Sequence, residues 1–117
     1  MGQEENDRRV DYIEFPATDI GAVKKFYESV LGWTFTDYGP DYTSFSDGRL
    51  SGGFTTAGTV ASNGPLVVLY ATDLESVQKL VLSAGGEVTR DIYEFPGGRR
   101  FHFRDPSGNG LAIWTDN

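Results

Sequence analysis

A tripeptide that occurs twice limits what this chain can fold into. Ala17-Thr18-Asp19 returns 54 positions later as Ala71-Thr72-Asp73. Holding that register without gaps aligns Val23 with Val77, Lys25 with Lys79, Ser29 with Ser83 and Gly32 with Gly86. Self-similarity at this period marks one supersecondary unit used more than once. A chain of 117 residues has room for two copies.

Each copy reads as a strand that leads into a helix. In the first, residues 10–15 form an extended segment closed by Pro16. A helix is predicted over 20–31, where Ile20, Val23, Phe26, Tyr27, Val30 and Leu31 recur at helical spacing. Gly32 stands where a left-handed residue ends a helix. In the second copy, a strand over 66–70 precedes a helix carrying Leu74, Val77, Leu80, Val81 and Ala84. Thr72 with Glu75 reads as a capping box, and Gly85-Gly86 as the stop.

Three short strands follow each helix: 34–38, 42–46 and 50–56, then 87–90, 100–104 and 110–115. Asp47-Gly48 is a hairpin turn, and Asp105-Pro106-Ser107-Gly108-Asn109 is a turn sequence. The unit is βαβββ. The expected fold is α+β, two tandem βαβββ modules over 10–56 and 65–117 in one compact domain. A linker over 57–64 joins them, and residues 1–9 are expected to be a mobile, solvated arm.

Composition removes several function classes. There are 17 acidic and 10 basic residues, a formal net charge of −7, so a phosphate backbone is repelled and no nucleic-acid partner is expected. The same field favours a cationic ligand. The absence of cysteine excludes disulfide scaffolds, thiolate metal sites and thiol nucleophiles. A single histidine leaves the common two- and three-histidine metal sites without ligands. The polar start of the chain has no apolar stretch for a signal peptide, and the longest apolar run, residues 66–71, is far too short for a membrane span. A soluble, cytoplasmic protein with no membrane partner is expected.

The motifs carry a resemblance. Asp19, Phe26, Tyr27, Leu31, Gly32 and Trp33, with Gly85-Gly86 and the run from Phe95 to Asn109, resemble the vicinal-oxygen-chelate superfamily, the glyoxalase, bleomycin-resistance protein and extradiol-dioxygenase group. The resemblance implies curved mixed sheets around a cavity with helices outside, often completed in a homodimer. It also implies four metal-ligand positions in the family's metal enzymes. The first-strand positions hold Tyr12 and Leu66, the second module's last-strand position holds Ala112, and no Asp or Glu occurs between Asp47 and Asp73. One neutral phenol does not hold a divalent ion against water, so no metal and no cofactor are expected.

Strand alternation nominates the cavity lining. With Ile13 and Phe15 under the helix, Tyr12 and Glu14 face the other way. With Phe101 and Phe103 in the core, Arg100, His102 and Arg104 face the cavity, as does Trp114 beside Ala112, and Tyr42 and Ser44 join them. Glu14 in an apolar strand is either functional or salt-bridged to Arg100 or Arg104. Arg99, Arg100 and Arg104 form a carboxylate clamp if they converge. Gly52-Gly53 marks either close approach of a ligand or a bulge. Two functions follow: a binding protein that sequesters a cationic or aromatic small molecule, or a metal-independent lyase or isomerase with Glu14 or His102 as general base and Tyr12 orienting a carbonyl.

Overall fold

A computed structural model describes residues 3–60 and 64–117. The first module runs β1 (Tyr12–Pro16), α1 (Ile20–Leu31), β2 (Thr34–Asp37), β3 (Tyr42–Ser46) and β4 (Ser51–Thr55). The second runs β5 (Val67–Tyr70), α2 (Leu74–Ser83), β6 (Glu87–Phe95), β7 (Gly98–Arg104) and β8 (Gly110–Thr115). Each module closes into a four-stranded mixed sheet, in the orders β1-β4-β3-β2 and β5-β8-β7-β6. In both, the first and last strands pair in parallel and the others antiparallel. Residues 3–6 coil into one exposed 3-10 turn, and part of the 57–64 linker lies outside the described residues.

The repeat register is physically that of the helix caps. Asp19 and Asp73 both sit in extended backbone and accept a hydrogen bond from the N–H three residues on, of Ala22 and Ser76. The cap of α2 is therefore Asp73, one residue later than a Thr72–Glu75 capping box would place it; Glu75 instead pairs with Arg99. Gly32 takes φ 71°, which ends α1 at little conformational cost.

The core joins the two modules. Helix α1 buries Val23, Phe26, Tyr27 and Val30, and each such apolar burial contributes roughly 1.5–3 kcal/mol. Tyr27 stacks between Trp33 and Phe54, with ring centroids 4.6 and 5.3 Å away, and Trp33 stacks on Phe45 at 4.3 Å. Phe26 crosses to the second module, 6.0 Å from Phe103, in space left open by the missing side chain of Gly86. A second tie is polar. The buried Asp105 carboxylate accepts from Tyr27 Oη, from the backbone N–H groups of Ser107 and Asn109, and from Asn109 Nδ2. Asn109 Nδ2 also donates to the Pro16 carbonyl, and Ser107 Oγ accepts from the Thr18 N–H. The expected turn is thus also the clasp between modules.

Strand β6 is longer than alternation indicates. It continues to Phe95 and turns back at Pro96-Gly97, because two register shifts between Val88 and Tyr93 interrupt the period-two pattern. Gly52 and Gly53 lie in an unbroken ladder, so no bulge is present. Their missing side chains are filled from within the chain, by Phe45 on one face and by Tyr42 and Tyr12 on the other.

Candidate functional site

The residues on the open faces of the two sheets form two separate groups. On the first sheet, Tyr12 and Tyr42 join hydroxyl to hydroxyl at 2.5 Å, and Tyr42 Oη donates to Glu14 Oε2 at 2.9 Å. Gly53 lies beneath both phenols and leaves them room to cross the sheet. Burial and the neighbouring Tyr12 and Glu14 push the Tyr42 phenol well above its ordinary range. Among the described residues no cation pairs with Glu14, so of its two readings the salt bridge to Arg100 or Arg104 does not form. It fails because Arg104 reaches Glu87 on β6 instead.

On the second sheet, β6 supplies residues that strand alternation over 87–90 left out. Tyr93 stands opposite Arg100, and Arg90 opposite His102. Arg100 Nε donates to Tyr93 Oη at 2.5 Å, and the same phenol is hydrogen-bonded to His102 Nε2, 3.0 Å away. The Arg90 guanidinium covers the Tyr93 ring, 3.5 Å from its centroid. The three-arginine clamp is not built: Arg99 pairs with Glu75 and Arg104 with Glu87, and only Arg100 turns to the aromatic cluster. The missed signal was Ile92-Tyr93-Glu94-Phe95 before Pro96-Gly97, a strand run closed by a turn.

Trp114 shares this face, edge-on to Tyr70 at 5.3 Å and to Phe95 at 6.2 Å. A cavity of about 330 Å³ opens between Val68, Phe95, Pro96, Gly97, Arg100 and Trp114. A larger groove of about 630 Å³ runs past His102, Phe103, Arg104, Leu66 and Thr89, with Gly64, Gly108 and Gly110 in its wall. The smaller cavity has the aromatic walls and single cation that orient a ligand, so it is the stronger candidate.

Burial, then Arg100 and Arg90, hold the His102 imidazole below its ordinary value of 6.5. The chain's one histidine gives one Hε1 resonance, and its titration midpoint is expected below 6.5. The folded imidazole takes its proton less readily than the unfolded one. The stability this contributes is full above 6.5 and is lost as pH falls through that value toward the lowered one. In Arg100→Gln the midpoint climbs back toward 6.5; a native midpoint at or above 6.5 would overturn this account.

The fold has known counterparts. Residues 9–113 match the Glyoxalase/Bleomycin resistance protein/Dioxygenase superfamily, and the chain belongs to it. It is 32% identical to the anthracycline biosynthesis protein DauV of Streptomyces sp. strain C5, over 88% of this chain and 45% of that protein. It is 26% identical to CFP32 of Mycobacterium tuberculosis, over 92% of this chain and 45% of that one. The chain thus spans about half the length of the curated relatives it matches. In fold it resembles a glyoxalase/bleomycin resistance protein/dioxygenase family enzyme from Burkholderia phytofirmans PsJN, with a TM-score of 0.80 at 18% identity, covering 92% of this chain and all of that one.

A metal centre of the kind the superfamily resemblance implies does not fit the residues here. Tyr12 is engaged with Tyr42, Ala112 is buried between Val68 and His102 in the ladder, and β4 carries no carboxylate. Among the described residues no three His, Asp or Glu side chains group together as ligands.

Proposed function

We propose that the protein binds a planar aromatic small molecule on the open face of its second sheet. The observation that carries this reading is the half-buried Trp114, flanked by Phe95 and Tyr70 over a cavity floored by Val68. Such walls offer large apolar area at little entropic cost, and stacking gives orientation. The likeness to a protein named for anthracycline biosynthesis supports an aromatic ligand. The acidic surface favours a cation, yet the group beside this cavity is a guanidinium, so the aromatic part of the expectation has the stronger support.

Titration calorimetry with naphthyl and anthracenyl compounds tests this. Trp114→Ala is expected to weaken binding about tenfold or more, while Tyr12→Phe on the other sheet leaves it unchanged. Equal affinities for native protein and Trp114→Ala would overturn the proposal. Glu14→Gln addresses a cationic ligand, whose affinity falls if it sits on the first sheet.

A second copy is part of the same proposal. Leu66, Val68 and Tyr70 are 43, 41 and 51% exposed along one edge strand and its approach, an apolar rim that a homodimer would cover. Sedimentation at micromolar concentration checks it, and a clean monomer would remove it. A metal-independent lyase or isomerase is the second reading, favoured by the neutral His102 imidazole within reach of the Tyr93 hydroxyl. It requires that His102→Gln lose turnover with binding largely kept.

A further inference from the structure

We infer that the ligand of this cavity is an aromatic acid, its anion held by Arg100 and Arg90 around Tyr93 and its rings lying on Trp114 and Phe95. This rests on the proposed binding of a planar molecule at the second sheet and adds the ligand's charge.

The observation is a pair of cations without counterions in an acidic protein. Carboxylates outnumber basic side chains 17 to 10, and Arg8, Lys24, Arg99 and Arg104 each have one within ion-pair distance. Among the described residues the other six have none, and two of these six, Arg90 and Arg100, flank the same phenol. The two guanidiniums, Arg90 exposed and Arg100 half-buried, share one ring and repel each other, a cost that an anion from solution would offset.

The donor geometry fits a planar anion. Arg100 uses Nε on Tyr93, and its terminal Nη groups make no hydrogen bond among the described residues. Those two groups form the fork that takes a carboxylate in bidentate fashion. The same side chain walls the 330 Å³ cavity, with its guanidinium carbon 5.5 Å from the Phe95 ring. An apolar slot with one cationic wall matches a flat molecule with an acid at its end. The first sheet has the opposite character, since Glu14 lies there with Tyr12 and Tyr42. The lowered proton affinity of His102 comes first from burial, and Arg100 and Arg90 add to it.

The test compares three probes with one ring system: 2-naphthoate, 2-naphthamide and 2-naphthylmethylammonium, titrated calorimetrically into the whole chain. Naphthoate is expected to bind about tenfold or more tighter than the amide, and the ammonium weakest. Arg100→Gln is expected to bring naphthoate down to the amide's affinity in the same variant, so that the preference for the acid disappears. Arg90→Gln, at an exposed position with little bearing on folding, lowers the naphthoate preference in the same direction. Equal affinity of native protein for naphthoate and amide would overturn the acid inference and leave the cavity standing. A preference for naphthoate that survives both substitutions would also overturn it. If no probe binds the native chain, the cavity reading fails and the inference falls with it.

Discussion

Asp105→Ala is expected to destabilise the fold by about 3–5 kcal/mol and to lower the thermal midpoint by roughly 10–20 °C. The size follows from what the carboxylate leaves behind. Asp105 is 4% exposed, and its two oxygens satisfy four donors: Tyr27 Oη, Asn109 Nδ2 and the N–H groups of Ser107 and Asn109. Removing it orphans a phenol that is itself fully buried, and burial together with Asp105 already holds that phenol well above its ordinary range. It also frees the turn that presents Asn109 to Pro16 and Ser107 to Thr18, so both modules lose their polar tie. Tyr27→Phe removes one bond and one donor, at about 1–2 kcal/mol. Because the two side chains share that bond, the double variant is expected to cost less than the sum. Calorimetric melting of the three variants checks this. A loss below about 1 kcal/mol for Asp105→Ala, or strict additivity, would show that the clasp does not join the modules.

Asp105 also shows where sequence reading stops. An Asp-Pro-Ser-Gly-Asn run is fully explained by local turn chemistry, so nothing in it signals partners 78 and 89 residues away. Local regularity, by contrast, was legible. Helical spacing placed both helices, and alternation put Phe101 and Phe103 in the core, where both are fully buried. Alternation failed where the ladder shifts. The irregular register of β6 hid Tyr93 and Phe95, and with them the reason Arg100 turns inward while Arg104 reaches out to Glu87. Alternation says which face a side chain leaves from; the partner strand decides what it meets. The candidate site was therefore half legible: Tyr12, Glu14, Tyr42, Arg100, His102 and Trp114 lie on the open faces, but as two groups rather than one.

Adjacent glycines of β4 are expected to respond to alanine in different ways. At Gly52 a Cβ would meet the Ile13 carbonyl of the neighbouring parallel strand and the Phe45 ring. A backbone carbonyl cannot step aside without opening the β1–β4 ladder. Phe45 is locked in turn, stacked on Trp33, which stacks on Tyr27. Gly52→Ala is therefore expected to cost about 3 kcal/mol or more, at the upper end for overpacking. At Gly53 the obstacles are the hydroxyl tips of Tyr42 and Tyr12, the far ends of side chains that can rotate toward solvent. Gly53→Ala is expected to keep the fold within about 1.5 kcal/mol of the native protein and to break the Tyr12–Tyr42–Glu14 cluster instead. The cluster has its own readout. Freed from burial and from Tyr12 and Glu14, the Tyr42 phenol returns toward its ordinary value of 10.0, so it ionises at lower pH in the variant than in the native chain. Alkaline titration of tyrosine-labelled protein by NMR, beside thermal melts, separates the two effects. A Gly52→Ala variant as stable as native, or a Gly53→Ala variant whose Tyr42 titration is unmoved, would show that the sheet does not need these two positions bare.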